Sequence, residues 1–148
     1  MEIAILALGC FWGPEIKFSK LEGIIKTEVG YCGGISKTTT YEEVCSGNTN
    51  HAEVVKLEFD PKKISYVKIL EYFFEFHDST TLNAQGPDIG TQYRSEIFYV
   101  NEYQMKIAEK TIEENSKKLS GKVVTKLSKI ENYSKAEDYH QKYLEKNN

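Results

Sequence analysis

A chain of 148 residues with 40% apolar and 12% aromatic residues is long enough to bury a core, and it predicts a single domain spanning residues 1–148. The net charge of −3 provides no basic field for nucleic acid or for an anionic membrane surface. Three cysteines, an odd number, do not form a disulfide framework and favour a reducing cytoplasm.

An uninterrupted apolar run at residues 3–8 predicts a strand buried on both faces. The run is too short for a signal-peptide core, and no segment is long enough to cross a bilayer. Cys10 follows closely, and Pro14 with Glu15 favours the beginning of a helix. Cys10 is therefore expected on a strand-to-helix turn, where unpaired backbone N–H groups and the helix dipole stabilise a thiolate.

The surroundings of Cys10 favour a reactive thiol over the usual small buried hydrophobe. Gly9 precedes the cysteine, while Phe11 and Trp12, the only tryptophan, follow it. Glycine permits a tight bend and close approach of a substrate. Two aromatic rings beside a nucleophile would form an apolar wall for a substrate that carries a small apolar group next to the attacked atom.

The rest of the chain mixes helices and strands without a strict alternation. Helices are predicted at residues 14–21, 41–47, 65–78, 101–119 and 135–144, and strands at 24–31, 51–60, 95–100 and 123–130. Residues 79–93 are predicted to be a long loop, and loops of this length are often functional. This order predicts an α+β fold, a two-layer sandwich with helices packed against a mixed, mostly antiparallel sheet.

Glu53 is in phase with the apolar face of its predicted strand. Val55, Leu57 and Phe59 share that face. One interpretation is a buried carboxylate that finds partners or becomes protonated, because burial disfavours its charged form. The other is an ordinary glutamate in solvent beyond the strand end.

Metal binding and a papain-like mechanism are both weakly supported. The cysteines and His51 lack the paired spacing of zinc sites, so no metal is expected. A cysteine hydrolase needs a histidine base. His51, His77 and His140 are present, but none has a sequence context that identifies it as one.

The segment GCFWG at 9–13 resembles the signature of the A-type peptide methionine sulfoxide reductases. Six more segments resemble motifs of that family in its order: VGYCGG at 29–34, TY at 40–41, EVCSG at 43–47, HAE at 51–53, GTQYRS at 90–95 and AEDYHQ at 136–141. Together they span nearly the entire chain. The resemblance implies reduction of methionine S-sulfoxide, free or in oxidised proteins, through a cysteine sulfenic acid.

The resemblance also implies roles for the matched residues. Cys10 would attack the sulfoxide sulfur, and a protonated Glu53 would give a proton to the sulfoxide oxygen. Tyr41 and Tyr93 would hydrogen-bond that oxygen. The substrate-binding residues would be Phe11 and Trp12, which hold the methyl group, and Asp88, which helps to organise the site.

Many family members carry resolving cysteines near the C-terminus, whereas this sequence has none after Cys45. No bound cofactor is expected, and an external thiol such as thioredoxin, glutaredoxin with glutathione, or dithiothreitol is expected to restore Cys10. Cys32 precedes two glycines and is the better internal candidate for a resolving thiol. Cys45 lies in a short turn closed by Gly47, and we interpret it as a packed free thiol.

Two other functions remain open at this point. A cysteine-dependent peroxidase or hydrolase would use the same activated thiol on peroxide or acyl substrates. A non-catalytic module would bind oxidised or apolar peptides in the aromatic pocket. The protein is expected to act as a monomer, with its substrate and a thiol reductant protein as partners and without nucleic acid or membrane.

Overall fold

The computed structural model describes residues 1–147, and most of them belong to one sheet and the helices packed on it. The strands are β1 (Glu2–Leu8), β2 (Ile24–Cys32), β3 (Ala52–Phe59), β4 (Ala84–Gln85), β5 (Asp88–Ile89), β6 (Ser95–Tyr99), β7 (Lys126–Lys129) and β8 (Ser134–Lys135). The helices are α1 (Trp12–Ser19), α2 (Tyr41–Cys45), α3 (Tyr66–Phe76), α4 (Glu102–Lys118) and α5 (Tyr143–Lys146). Two 3-10 turns lie at Thr91–Tyr93 and Asp138–His140.

The main sheet has the strand order β7-β6-β1-β3-β2-β8, and β4 pairs with β5 in a separate hairpin. The β6 and β7 strands are parallel, while the other neighbours in the main sheet are antiparallel. This architecture confirms the predicted α+β fold with a mixed, mostly antiparallel sheet. Among the helices of residues 1–147, none is long and apolar enough to cross a membrane.

The main core lies between one face of the sheet and the helices α1, α3 and α4. Leu57 of β3, Phe18 of α1 and Phe73 of α3 are fully buried in it. Each such side chain stabilises the fold by roughly 1.5–3 kcal/mol through removal of apolar surface from water. Ser65 caps α3 by accepting a hydrogen bond from the backbone of Lys68, and Asn101 caps α4 by accepting one from the backbone of Gln104, whereas α1 has no side-chain cap.

The last part of the chain differs from its prediction. Residues 135–144, expected as one helix, are divided among the end of β8, a 3-10 turn and the start of α5. Lys142 has φ 52°, a left-handed conformation that interrupts any α-helix. Gln141 hydrogen-bonds both backbone groups of Val29 in β2, so its side chain is used to fasten the segment to the sheet.

Two other parts of the structure differ from their predictions. The long loop expected at 79–93 contains the β4–β5 hairpin and the 3-10 turn at Thr91–Tyr93, elements too short to leave a periodic pattern. The first helix begins at Trp12, two residues before Pro14.

Candidate active site

The turn after β1 brings Cys10 against the β4–β5 hairpin. Gly9 has φ 95°, and a Cβ there would lie 2.8 Å from Cγ of Gln85. Only glycine accommodates both the backbone conformation and this close approach. The predicted position of Cys10 on a strand-to-helix turn is correct, and the residue is partly exposed.

Glu53 lies at the same end of the sheet as this turn. Its Oε1 accepts a hydrogen bond from the backbone N–H of Phe11, at 3.2 Å, and only 1% of the residue is exposed. Of the two interpretations of Glu53, the structure supports the buried one. Burial raises its pKa to about 8, the Phe11 N–H opposes that rise, and the charge of Asp88 adds to it. Glu53 is therefore mostly protonated at neutral pH and can act as an acid.

Cys10 differs from its expected ionisation. Burial raises the pKa of the thiol to about 11, the backbone N–H of Trp12 lowers it, and the charges of Glu53 and Asp88 raise it. The backbone effect predicted from the helix start is present, but burial and two carboxylates outweigh it. The prediction of a stabilised thiolate is thus wrong for the enzyme without substrate, in which Cys10 is a thiol.

The charge of Glu53 acts on two phenols, those of Tyr41 and Tyr93. The neighbouring Cys45 thiol, followed by burial, raises the pKa of Tyr41. Burial and the charge of Glu53 raise the pKa of Tyr93 to about 12. Both hydroxyls are protonated and can donate to an oxygen near Glu53. The charge of Asp88 acts on Cys10, Glu53 and Tyr93, which indicates that Asp88 lies close to these three residues.

Aromatic rings lie beside Cys10. Phe11 is almost fully buried, and the Trp12 indole stacks on Tyr143 with ring centroids 3.7 Å apart. The indole N–H donates to Nδ1 of His140 at 3.1 Å. Phe11 and Trp12 lie beside Cys10, and the sequence analysis did not identify His140 and Tyr143, which support the Trp12 ring. The AEDYHQ motif at 136–141 contains His140 and was the sequence signal that could have identified this segment as part of the site.

Cys32 lies on the other side of the sheet. Tyr31 pairs with Glu53 across β2 and β3, whereas Cys32 pairs with Ala52, and neighbouring residues of a strand point to opposite faces. Cys32 is buried, and its thiol donates to the carbonyl of Glu131 at 3.3 Å. For Cys32 to reach Cys10, the end of β2 would have to leave the sheet. Its position therefore weighs against a resolving role.

Cys45 is exposed at the end of α2, so the prediction that it is packed is wrong. The short helix turns its last residue toward solvent, while Val44 is buried in its place.

The three histidines do not supply a base for Cys10. His51 bonds the carbonyl of Ser36, His77 lies between the carbonyl of Phe73 and the hydroxyl of Ser95, and His140 accepts from Trp12. Within residues 1–147 there is no group of three or more potential metal-ligating side chains. The site thus brings together a cysteine thiol, a protonated carboxyl and two phenols, without the histidine base that a cysteine hydrolase needs.

Comparisons with known proteins identify the family of this chain. The family model described as peptide methionine sulfoxide reductase matches residues 2–148. The peptide methionine sulfoxide reductase MsrA of Pelagibacter ubique is 73% identical over 146 residues, which cover 99% of each chain. The chain therefore belongs to the peptide methionine sulfoxide reductase family, and it is an oxidoreductase that reduces methionine sulfoxide.

Solved structures show the same fold. The reduced form of Mxr1 from Saccharomyces cerevisiae matches with a TM-score of 0.93 and 40% identity, over 99% of this chain and 85% of that one. Mxr1 in complex with Trx2 matches with a TM-score of 0.69 and 28% identity, over 96% of this chain and 84% of that one. These likenesses and the matching family model confirm the resemblance inferred from the sequence motifs.

Proposed function

We propose that Cys10 attacks the sulfur of methionine S-sulfoxide while Glu53 protonates the sulfoxide oxygen. The observation that carries this proposal is the hydrogen bond from the Phe11 N–H to the buried Glu53, because it fixes a protonated carboxyl one residue away from the nucleophile. Tyr41 and Tyr93 supply further donors to the same oxygen, which becomes more basic as the sulfur is attacked.

The reaction balances without a bound cofactor. The Cys10 sulfur forms a bond to the sulfoxide sulfur. The S–O bond and this new S–S bond then break as the oxygen passes to the Cys10 sulfur, which releases the methionine sulfur with its electron pair. The products are methionine and a Cys10 sulfenic acid, so the substrate sulfur is reduced by two electrons and Cys10 is oxidised by two. Glu53 gives its proton to the oxygen and can take the proton that Cys10 loses, which removes the need for a thiolate before substrate arrives.

The substrate methyl group is expected to contact Phe11 and Trp12. A sulfoxide sulfur carries an oxygen, a methyl group and the remaining methionine chain. Fixing the oxygen near Glu53 and the methyl group on the Trp12 ring leaves one configuration in which the sulfur faces Cys10. This arrangement selects one epimer, and the family resemblance indicates the S epimer.

An external thiol is proposed to reduce the Cys10 sulfenic acid. The other two cysteines are Cys32, on the opposite face of the sheet, and Cys45, at the exposed end of α2. Mxr1 of yeast has been solved in complex with Trx2, and a comparable dithiol protein is one candidate reductant here. A glutaredoxin-type partner with a small thiol is the other. Such a reductant system and three free cysteines fit a single catalytic domain in the cytoplasm.

The test measures single-turnover reduction of the two methionine sulfoxide epimers with dithiothreitol present. The wild type should reduce the S epimer only, and Cys10→Ser should be inactive while Cys45→Ser remains active. Glu53→Ala should lose about 10²–10⁴-fold, with a smaller loss for Glu53→Gln, which still hydrogen-bonds. Equal rates on both epimers would refute the proposed pocket. Unchanged rates in both Glu53 variants would remove that residue from the mechanism.

The same enzyme should not turn over hydrogen peroxide or acyl esters faster than Cys10→Ser does. Faster turnover of either would favour the peroxidase or hydrolase alternative. Binding of oxidised peptides that survives in Cys10→Ser, with no reduction by the wild type, would instead favour a binding module.

A further inference from the structure

Glu137 joins the C-terminal segment to Tyr31 of β2 and to Tyr41, the first residue of α2. Its Oε1 accepts a hydrogen bond from the Tyr31 hydroxyl at 2.8 Å, and its Oε2 accepts one from the backbone N–H of Tyr41 at 2.9 Å. The mechanism described above gives Glu137 no part, although the residue lies within the AEDYHQ motif. One carboxylate thus bridges a buried strand and a short helix.

The bond to Tyr41 matters because α2 cannot hold itself in place. This helix has five residues, far fewer than a helix needs to be stable alone. Thr40 caps it by accepting from the backbone of Glu43, which leaves the N–H of Tyr41 without a partner from the helix itself. Glu137 supplies that partner from outside and so fixes the first residue of α2.

Glu137 is itself anchored to the sheet. The backbone N–H of Ala136 donates to the carbonyl of Val29 at 3.0 Å, and the amide of Gln141 bonds both backbone groups of Val29. The Tyr31 hydroxyl adds a further attachment, and the Tyr31 ring lies 5.7 Å from that of Phe11. Glu137 therefore fixes the position of Tyr41 relative to β2, and β2 pairs with the strand that carries Glu53.

The ionisation of Glu137 suits this bridge. Burial acts to raise its pKa, but the backbone N–H groups of Tyr41 and of Glu137 itself, the Tyr31 hydroxyl and the charge of His140 together outweigh burial and leave the pKa below its ordinary value. The carboxylate is therefore charged at neutral pH, and charged acceptors form the stronger hydrogen bonds.

We propose that Glu137 is a positioning residue for the reaction, which holds the Tyr41 hydroxyl where it meets the sulfoxide oxygen by fixing the start of α2. This inference rests on the proposed function, because it takes Tyr41 to act on that oxygen. It predicts that loss of Glu137 slows the chemical step only while Tyr41 still carries its hydroxyl.

The test is a double-mutant cycle between Glu137→Ala and Tyr41→Phe, with single-turnover rate and KM as readouts. Glu137→Ala should slow single turnover about tenfold, since a small misplacement of a catalytic group is costly. KM should change less, because the aromatic wall is intact. In the Tyr41→Phe background the same substitution should cost less than about twofold, because the group that it positions is gone.

Glu137→Gln is the matched control. Its carbonyl can accept from the Tyr41 N–H, and its amide can donate to the Tyr31 hydroxyl, so both bridges survive without the charge. It should retain most of the wild-type rate. Where Glu137→Ala fails to fold, Glu137→Asp, which keeps the charge but is shorter, enters the same cycle.

If Glu137→Ala lowers the single-turnover rate by the same factor in the wild type and in Tyr41→Phe, the inference is overturned and Glu137 has a general structural role. A full-speed Glu137→Ala would also overturn it. If Tyr41→Phe alone is as fast as the wild type, the inference fails, while the Cys10 and Glu53 variants still decide the proposed function separately.

Discussion

The Trp12 indole lies nearly parallel to the Tyr143 ring, with an interplanar angle of 10° and ring centroids 3.7 Å apart. The two residues come from opposite ends of the chain, and Trp12 is the only tryptophan. His140 fixes the rotation of the indole by accepting its N–H. The orientation of this ring thus depends on the C-terminal segment.

Tyr143→Ala is expected to loosen Trp12 and lower kcat/KM about 2- to 10-fold, since aromatic pairs contribute roughly 0.5–1.5 kcal/mol beyond burial. Intrinsic fluorescence should shift to the red, because the single indole becomes more exposed to water. Tyr143→Phe keeps the stack and should match the wild type in both measurements. A normal spectrum and rate in Tyr143→Ala would contradict a supporting role for Tyr143.

Glu53 should make the stability of the protein depend on pH. Its folded pKa, about 8, lies above its ordinary value of 4.5. The folded state therefore binds this proton more tightly than the unfolded state, and the resulting stabilisation is full below pH 4.5 and lost as pH rises through 8. At pH 9, Glu53→Gln should thus have a higher free energy of unfolding in a urea titration than the wild type, by a few kcal/mol in order of magnitude.

At pH 5 the difference between Glu53→Gln and the wild type should shrink, because the buried carboxyl is then protonated. Glu113→Gln, on the exposed surface of α4, serves as the control for loss of one negative charge. A stability difference that stays constant from pH 5 to 9 would show that the Glu53 proton does not distinguish the folded from the unfolded state.

The sequence predicted those parts of the site whose signals are local. Gly9 and Cys10 between an apolar strand and a helix start, and the phase of Glu53 with Val55, follow directly from strand periodicity and turn chemistry. The ionisation of Cys10 could not be predicted, because it depends on burial and on Asp88, which approaches through the β4–β5 hairpin.

Residues 135–144 illustrate why the remaining elements could not be predicted. The polar side chains of Glu137 and Gln141 suit an exposed helix face, but they bond the backbone of Tyr41 and Val29 instead. Such side-chain to backbone bonds compete with helix formation and depend on contacts distant in sequence. Cys32 shows the same limit, since only the strand register decides which face of the sheet it occupies.

The Arg94–Glu96 ion pair should be costly to break. The Arg94 Nε lies 2.6 Å from Glu96, both side chains are almost fully buried, and the guanidinium also donates to the carbonyls of Thr91 and Asn50. These bonds join the turn that carries Tyr93 to the loop before β3. Arg94→Met should reduce the free energy of unfolding by about 3–5 kcal/mol, because it leaves a buried carboxylate without its partner.

The double variant Arg94→Met with Glu96→Met should recover part of this loss, since no uncompensated charge remains. Lys110→Met, which breaks an exposed pair with Glu114, should cost less than about 0.5 kcal/mol in the same urea titration. Equal losses for Arg94→Met and Lys110→Met would mean that burial does not strengthen the Arg94 pair.

Recycling of Cys10 gives the last prediction. A disulfide requires Cα atoms within about 7 Å of each other. Cys32 is held on the far face of the sheet by its strand pairing with Ala52, and Cys45 ends a helix whose first residue is fixed by Glu137. We therefore expect the sulfenic acid of Cys10 to persist after one turnover until an external thiol attacks it.

The measurement exposes reduced enzyme to excess methionine sulfoxide without reductant, then counts thiols and determines the mass. One thiol should be lost, with a mass gain of about one oxygen atom, because we expect the placement of Cys32 and Cys45 to prevent a disulfide with Cys10, whose formation would release that oxygen as water. Cys32→Ser and Cys45→Ser should give the same one-thiol loss as the wild type. Loss of two thiols without the added oxygen would indicate an internal disulfide, and whichever serine variant restores the one-thiol result would identify the resolving cysteine and contradict the rigid placement argued for it.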